Sequence, residues 1–320
     1  MKFRPLGRTG LEVSALSFGA SSLGSVFREV PEEEGIRTVH AALDAGINLI
    51  DVSPYYGLTR AETVLGKALR QVSRDRYTLC TKAGRYGSDE FDFSRERILR
   101  SAEESMERLG TDYLDILLLH DIEFGSIEQV MEEGIPALEE LKRAGKIRFF
   151  GVSGLPLYVF EQVLSQASLD VILSYCHYSL NDRTLLELLP LLEEKGVGLM
   201  NASPISMGLL SDRQVPDWHP ADEEVRAVCT RAAAYCRERG EEIAKLAVQF
   251  STADERIPTT LVSTANPDNI IRNVRWTEEP MNQELLAGVE EILKPIQGRS
   301  WASGHSGWQS QHSRNAEGRS

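Results

Sequence analysis

The fold of this chain is indicated by residues 47–69, INLIDVSPYYGLTRAETVLGKAL. A short apolar run ends at Asp51, a turn with two tyrosines follows, and a helical pattern begins at once. Thr59 and Glu62 have the spacing of a capping box, as do Ser126 and Gln129 further along the chain, which predicts that a helix starts at each of these points. The unit is therefore a strand joined to a helix by a short loop that carries one carboxylate and two phenols.

The same alternation of a short apolar run and a longer helical pattern recurs along the chain. Eight runs have strand character: ALSFG, NLID, YTLCT, YLDILLLH, IRFFGVS, DVILS, VGLMNAS and TTLVS. Strands joined by crossover helices must be parallel, so eight such units predict a closed (β/α)8 TIM barrel, with an open, doubly wound sheet as the alternative. Ahead of them, two extended runs flank the turn GRTG at residues 7–10, which predicts a β-hairpin that closes the bottom of the barrel.

The composition fits one globular domain and a polar tail. With 320 residues, of which 42% are hydrophobic and 26% charged, the chain is long enough to bury a large core. We expect residues 1–297 to form a single barrel domain. Residues 298–320 are rich in Ser, Gly and Gln, so we expect a C-terminal tail that is largely disordered.

Charge and cysteine usage argue against several classes of function. The formal net charge of −13 is opposite to the basic surface that nucleic-acid binding requires. The apolar runs are too short to cross a bilayer and no signal-peptide pattern opens the sequence, so we expect a cytoplasmic protein without membrane contact. The four cysteines lack metal-ligand spacing, so neither a disulfide framework nor a metal site is expected. No obligate protein partner is indicated.

Chemistry-bearing residues follow three successive predicted strands. The second strand ends in Asp51 and its loop carries Tyr55 and Tyr56, the third ends with Lys82, and the fourth ends with His120. Active sites of such barrels lie at the carboxyl ends of the strands. Because neighbouring strands are about 4.8 Å apart, we expect a carboxylate, a phenol, an ammonium and an imidazole to converge in one small volume.

These four groups are suited to proton transfer at a carbonyl or alcohol oxygen. A phenol titrates near pH ~10, so it needs a neighbouring cation such as Lys82 to lower its pKa. Asp51 is then the counter-ion that keeps a buried Lys82 charged. His120 is expected to hydrogen-bond the reacting oxygen. No side chain accepts or supplies hydride, so a nicotinamide cofactor is implied.

The chain resembles the aldo-keto reductase family in LGRTGLEVSALSFGASSLG, DVSPYYG, TKAGRYG, LLLHDIEFGS, GVSG and NPDNIIRN. The resemblance covers nearly the whole predicted barrel. It implies a catalytic tetrad of Asp51, Tyr56, Lys82 and His120, since the family tyrosine lies five positions after the aspartate. This spacing selects Tyr56 rather than Tyr55 as the acid or base.

The resemblance also implies the cofactor. Members that prefer NADP contact its 2′-phosphate with a Lys and an Arg, and the matching positions here, aligned on Asn273, are Ser263 and Asn269. Hydroxyl and amide groups suit a ribose 2′-hydroxyl better than a phosphate, so NAD is expected. Arg272 can either swing toward a phosphate or face solvent or adenine. The predicted cofactor-binding residues are Ser153, Ser174, Ser203, Ser263, Thr264, Asn269, Arg272 and Asn273.

Further segments, HDIEFGS, ILSYCHYSLND, ASPISMGLL and PDWHPA, resemble aldose 1-dehydrogenases of the family. They imply oxidation of C1 of L-galactose, or of a related aldose such as L-fucose or L-gulose, to the lactone. Ala202 stands where many members stack an aromatic ring on the nicotinamide, and either Tyr175 or His177 can fill that space. The predicted substrate residues are Tyr55, His120, His177 and Trp301. The alternatives are an NADPH-dependent aldehyde reductase and a non-catalytic nucleotide-sensing subunit.

Overall fold

The barrel predicted from the alternating pattern is present. The computed structural model of the chain describes residues 1–26, 28–305, 307 and 308. Eight parallel strands form a closed barrel in which the last strand pairs with the first, as Thr260↔Leu16 to Ser263↔Gly19. The barrel strands are β3 (Leu16–Gly19), β4 (Leu49–Asp51), β5 (Thr78–Ala83), β6 (Leu114–Leu119), β7 (Ile147–Gly154), β8 (Val171–Tyr175), β9 (Gly198–Ala202) and β10 (Thr259–Ser263).

Helices surround this barrel, and their apolar faces pack on it. In the helices over residues 32–44 and 95–109, the apolar side chains Val39, Leu43, Ala102, Met106 and Leu109 are buried, whereas Ile36 and Leu99 are partly buried and pack against the same core. Burial of each large side chain contributes about 1.5–3 kcal/mol to folding. The helices are α1 (Glu32–Asp44), α2 (Arg60–Leu69), α3 (Arg95–Leu109), α4 (Ile127–Gln129), α5 (Ile135–Arg143), α6 (Leu157–Leu164), α7 (Leu189–Lys195), α8 (Glu223–Arg237), α9 (Ile243–Ala253), α10 (Pro267–Glu278) and α11 (Gln283–Leu293).

The predicted hairpin closes the lower end of the barrel. It consists of β1 (Phe3–Pro5) and β2 (Glu12–Ser14), which pair antiparallel. Leu6, Leu11 and Val13 join the apolar cluster inside the barrel. Gly7 has a φ of +55° and lies so close to the start of β9 that a Cβ added to it would be 2.3 Å from the Gly198 nitrogen. The hairpin therefore seals the end opposite to the predicted site, and its approach requires a glycine.

The two predicted capping boxes have different outcomes. Ser126 caps α4 as expected, because its side chain accepts from the Gln129 N–H. At Thr59 the helix begins where it was predicted, since α2 starts at Arg60, but the capping box is wrong: the Thr59 backbone is left-handed, with a φ of 76°, and its side chain makes no capping hydrogen bond. Glu62 instead turns inward, where Oε1 accepts from Thr81 Oγ1 at 2.6 Å and Oε2 from Arg108 Nε at 2.7 Å. Glu62 thus ties α2 to β5 and α3, which sequence spacing cannot reveal.

The described part of the C-terminal tail packs on the barrel. Trp308 is 1% exposed; its indole Nε1 donates to Gly125 O at 2.9 Å, and its carbonyl accepts from Gln162 Nε2 at 3.0 Å. Arg299 forms ion pairs with Asp222 and Glu224. Residues 309–320, also included in the prediction of disorder, lie outside the described residues.

Three further sequence expectations concern the described residues only. None of their helices is long and apolar enough to cross a membrane. No group of three or more His, Cys, Asp or Glu among them is arranged to hold a metal ion. The cysteines, Cys80, Cys176, Cys229 and Cys236, are all buried with free thiols.

The Glu62 contacts generate a stability prediction. Glu62→Ala leaves the partly buried Arg108 guanidinium without its counter-ion and the buried Thr81 hydroxyl without its acceptor, so we expect a loss of about 3–5 kcal/mol in the free energy of unfolding. The matched control is Glu32→Ala on α1, which removes an exposed pair with Lys67 and should cost less than about 1 kcal/mol. Urea unfolding measures both, and equal losses would contradict the assignment.

Candidate active site

The barrel brings the predicted tetrad positions together on three adjacent strands. Asp51 is the last residue of β4, Lys82 is the penultimate residue of β5, and His120 directly follows β6. The register sets Asp51 opposite Cys80 and Lys82 opposite Leu118. All of these strands run in the same direction, so the side chains emerge at the same mouth of the barrel.

Lys82 is held by a buried ion pair. Its Nζ lies 2.5 Å from Asp51 Oδ1 and 3.0 Å from the Val52 carbonyl oxygen, and the side chain is 1% exposed. Burial alone would lower the pKa of Lys82, but the charges of Asp51 and Tyr56 raise it above its ordinary value. The predicted pairing of Asp51 with Lys82 is confirmed, and the lysine is a permanent cation.

Tyr56 lies next to this cation but keeps its proton. Its Oη is 3.4 Å from Lys82 Nζ. Burial raises the pKa of Tyr56 to about 12, and the nearby Asp51 and Asp121 add to the effect, while Lys82 opposes it. The expectation that Lys82 would lower this pKa overall is therefore wrong, because burial of the phenol outweighs the lowering by Lys82. In the chain alone, Tyr56 is a neutral phenol.

His120 completes the cluster as a neutral imidazole. Its ring centre is 5.6 Å from that of Tyr56, with the planes at 85°. Burial and the cations Lys82 and Arg85 hold the pKa of His120 well below its ordinary value. Its Nδ1 lies 2.9 Å from Ser53 Oγ, which also accepts from the Tyr55 N–H. When the Ser53 hydroxyl donates to Nδ1, the Nε2–H is free for a substrate oxygen.

Two charged residues beside the tetrad were not predicted. Arg85, which is partly buried, forms an ion pair with the buried Asp121, and its guanidinium carbon lies 3.9 Å from the centre of the Tyr55 ring. Tyr55 in turn meets His120 edge to face at 5.9 Å. Both Arg85 and Asp121 stand one to three positions after a tetrad residue, and this proximity to strand ends is the signal that could have identified them.

A third unpredicted residue, Glu123, connects the site loop to the tail. It is fully buried; Oε1 accepts from the Leu155 N–H at 3.0 Å and from Ser303 Oγ at 2.9 Å, while Oε2 has no protein partner in the described structure. The His305 N–H donates to its carbonyl at 2.8 Å. Burial and the nearby Asp121 raise the pKa of Glu123 to about 8. The carboxyl is therefore largely protonated at neutral pH.

Backbone strain is concentrated at the same mouth. Within the described residues, every non-glycine residue with a positive φ lies in a loop that follows a barrel strand: Ser25, Leu58, Thr59, Asp121, Cys176, Ser203, Ser206 and Met207. Such conformations cost on the order of 1–3 kcal/mol each and persist where the surroundings enforce them. Their location separates the strained, chemistry-bearing end of the barrel from its regular walls.

The residues predicted to contact the adenosine end of the cofactor lie between β10 and α10. Ser263 Oγ is 2.8 Å from the hydroxyls of both Ser21 and Ser22. Thr264 Oγ1 accepts a hydrogen bond from the N–H of Asn266, the N-cap residue of α10, and lies 3.5 Å from Asn269 Nδ2. Neutral hydroxyl and amide groups of this kind fit a ribose.

Arg272 is the cation closest in sequence to Ser263, Thr264 and Asn269, and its guanidinium contacts other side chains of the protein. Its guanidinium donates to Asn269 at 3.2 Å, lies 3.6 Å from a Glu242 oxygen, and covers the Trp276 ring at 5.0 Å. Asn273 lies one position further along α10 and is partly exposed.

The other predicted cofactor-binding residues, Ser153, Ser174 and Ser203, lie at the ends of β7, β8 and β9. The hydroxyl of Ser153 accepts from the Asp121 N–H at 3.1 Å. Ser174 is fully buried, and its hydroxyl has no protein partner in the described structure. Ser203 follows β9 with a φ of 60°. A buried hydroxyl without a partner is unusual, so Ser174 leaves a hydrogen bond available to a bound cofactor.

The remaining predicted substrate residues are not all at the tetrad. Of the two alternatives for the space near Ala202, Tyr175 packs with the cluster inside the barrel. His177 instead binds within its own loop, with Nδ1 2.9 Å from Thr184 Oγ1 and 3.2 Å from Asp182 Oδ2. Trp301, from the tail, contacts the His219 ring edge to face at 5.0 Å, beside the loop after β9.

Comparisons with known proteins agree with this geometry. The sequence model of the Aldo/keto reductase family matches residues 15–294. The chain is 50% identical over 313 residues to L-galactose dehydrogenase from Arabidopsis thaliana, covering 95% of this chain and 98% of that protein. It is 36% identical over 257 residues to D-arabinose 1-dehydrogenase from Saccharomyces cerevisiae, covering 76% of each. A solved aldo-keto reductase from Bacillus halodurans, in its holo form, superposes with a TM-score of 0.76 at 29% identity, covering 95% of this chain and 99% of that one.

The fold, the cluster and these matches define the class of protein: a (β/α)8 oxidoreductase that uses a nicotinamide cofactor. The chain belongs to the aldo/keto reductase family. The resemblance seen in its sequence segments is thereby confirmed, whereas the roles of the individual site residues stay predictions.

Glu123 gives a prediction for the pH dependence of stability. Its pKa in the folded chain, about 8, exceeds the ordinary value of 4.5, so the folded state keeps a proton that the unfolded state releases. We therefore expect the free energy of unfolding to fall as the pH rises between about 4.5 and 8. In Glu123→Gln this part of the fall should be missing. Urea unfolding across this range measures the difference between the two proteins, and parallel curves would contradict the assignment.

Proposed function

We propose that the chain is an NAD-dependent aldose 1-dehydrogenase that oxidises C1 of L-galactose, or of a related aldose such as L-fucose or L-gulose, to the lactone. The observation that carries the proposal is the contact of Tyr56 with the buried Lys82–Asp51 pair, with His120 alongside. The two relatives named above, at 50% and 36% identity, are named as dehydrogenases of aldoses. They support a sugar as the substrate.

The side chains of this site can transfer one proton in a defined direction. In oxidation, Tyr56 as general base takes the proton from the anomeric hydroxyl, while Lys82 stabilises the phenolate that performs this step. The Nε2–H of His120 hydrogen-bonds the same oxygen and orients C1. A bound nicotinamide would accept the hydride that leaves C1. The pair of Asp51 and Lys82 keeps a cation beside the phenol throughout the reaction.

The preference for NAD is supported by the character of the loop after β10. Ser263 lies among serine hydroxyls, Thr264 and Asn269 are neutral, and Arg272 is paired with Glu242 and stacked on Trp276. A 2′-phosphate would meet no free cation among these residues, whereas a ribose 2′-hydroxyl can both donate and accept here.

The proposal includes the wider setting of the enzyme. We propose that residues 1–297 act as one catalytic domain in the cytoplasm, on a small sugar substrate and without an obligate protein partner. The whole tetrad comes from one chain, which supports activity of the purified protein alone.

The first test is the role of Tyr56. With NAD, the parent chain should oxidise L-galactose or another member of an aldose panel, and Tyr56→Phe should lower kcat on the order of 10²–10⁴-fold, since it removes general base catalysis. Because the pKa of Tyr56 is raised to about 12, the parent rate should rise with pH between 7 and 10 as more phenolate forms. The variant should lack this rise.

Tyr55→Phe is the matched control, because it removes the neighbouring phenol hydroxyl and leaves Tyr56 in place. Unchanged turnover in Tyr56→Phe would remove this residue from the mechanism. A parent chain that reduced aldehydes with NADPH, or bound nucleotide without any turnover, would favour one of the two alternative functions.

The second test is cofactor choice. Binding titrations should show NAD bound more tightly than NADP by the parent chain. Ser263→Lys combined with Asn269→Arg supplies the two missing cations, and each charged hydrogen bond is worth about 1.5–3 kcal/mol, so NADP affinity should rise at least ~10-fold. Gln283→Lys adds one positive charge on α11, away from this loop, and should have no such effect. Tighter binding of NADP by the parent would overturn the assignment.

A further inference from the structure

A second ion pair, between the partly buried Arg85 and the buried Asp121, lies beside the tetrad and has no part in the proton transfer. Arg85 Nη1 donates to Asp121 Oδ2, and their side chains are 16% and 6% exposed. The same carboxylate oxygen is 3.6 Å from His120 Nε2, the atom expected to face the reacting oxygen. Tyr55 lies under the guanidinium. The pair therefore borders the volume in which the reacting carbon of a substrate must lie.

Asp121 occupies its position at an energetic cost. Its φ and ψ are 52° and 59°, a left-handed conformation that its backbone contacts enforce: its N–H donates to Ser153 Oγ and its carbonyl accepts from the Phe124 N–H. For a residue with a side chain this conformation costs on the order of 1–3 kcal/mol, and burial of a carboxylate adds a further cost. A glycine would avoid both costs, so the carboxylate needs a reason other than folding.

Arg85 keeps an unused donor in the same place. Its Nε is buried and has no partner in the described structure, although the large majority of buried side-chain polar atoms have one. Aromatic rings of Tyr55, Phe91 and Phe124 lie within 5.5 Å of the guanidinium carbon and restrict its movement. A fixed donor next to a carboxylate acceptor matches a hydroxyl-rich ligand, because each hydroxyl both donates and accepts.

We propose that Arg85 and Asp121 recognise the hydroxyls of the aldose, with Asp121 accepting from the hydroxyl on the carbon next to C1 and Arg85 donating to the same or the adjoining hydroxyl oxygen. The inference rests on the proposed function and adds the residues that select a polyol over an aldehyde without hydroxyls. Sites built to hydrogen-bond a hydroxyl reject ligands that lack it, since their own buried groups are then left unpaired.

The experiment compares two sugars on two proteins. With NAD, the parent chain should have a kcat/KM on the order of 10–100-fold lower for 2-deoxy-L-galactose than for L-galactose. Asp121→Asn, which also tolerates a left-handed backbone, should lose a similar factor on L-galactose but little more on the deoxy sugar. Reduction of propanal with NADH needs no hydroxyl recognition, so in Asp121→Asn it should fall by a clearly smaller factor than oxidation of L-galactose.

The matched control is Asp115→Asn. Asp115 is also buried and paired with arginines, Arg74 and Arg148, and it lies on β6 at the end opposite to Asp121. This variant should lower stability and leave the ratio between the two sugars unchanged.

Three results would overturn the inference. Equal losses of Asp121→Asn on L-galactose and propanal would mean that the residue acts through His120 or through folding. If Asp121→Asn does not fold, the parent chain decides, because equal kcat/KM values for the two sugars would contradict hydroxyl recognition. Arg85→Lys is a second variant, and it should also lose more activity on L-galactose than on the deoxy sugar. A parent chain that reduces propanal but oxidises no aldose would overturn the proposed function itself, which distinguishes this failure from the first two.

Discussion

The buried ion pair between Lys82 and Asp51 is the interaction on which the rest of the site depends. An ammonium that is 1% exposed is stable only with its counter-ion within contact distance, and here that distance is 2.5 Å. The two residues come from neighbouring parallel strands, so the sheet itself sets their separation. With the cation fixed at the mouth, the loop after β4 brings the Tyr56 hydroxyl to 3.4 Å from the Lys82 ammonium. The end of β6 places the centre of the His120 ring 5.6 Å from that of the Tyr56 ring.

Charges at this mouth occur in compensated pairs, and the reacting groups between them are neutral. Lys82 is paired with Asp51 and Arg85 with Asp121, while Tyr56 keeps its proton and the pKa of His120 is low. A neutral sugar therefore meets no uncompensated charge in this cluster. Among the described residues, the non-glycine residues with a positive φ all lie at the same end, whereas the hairpin and the regular strands form a tightly packed lower end. Stability and chemistry thus occupy opposite ends of one barrel.

The fold and the tetrad positions could be predicted, whereas several contacts and one pKa could not. Short apolar runs between period-3.6 patterns identified all eight barrel strands, because the strands of a parallel barrel are buried on both faces. The spacing of Thr59 and Glu62 indicated a capping box, but Glu62 points inward to Arg108, a residue far away in sequence. The pKa of Tyr56 was expected to be lowered by Lys82, but burial and the compensation by Asp51 raise it. Glu123 gave no local signal, since its partner Ser303 comes from the tail.

The sequence by itself therefore determined the barrel, the hairpin and the identity of the groups at successive strand ends, because these follow from local periodicity and from the common direction of parallel strands. Tertiary structure alone decided which of those groups are charged, which are paired and which retain an unused hydrogen bond, as in Arg85, Ser174 and Glu123. The physical reason is that desolvation and Coulomb interactions depend on neighbours brought together from distant parts of the chain, and no local pattern specifies those neighbours.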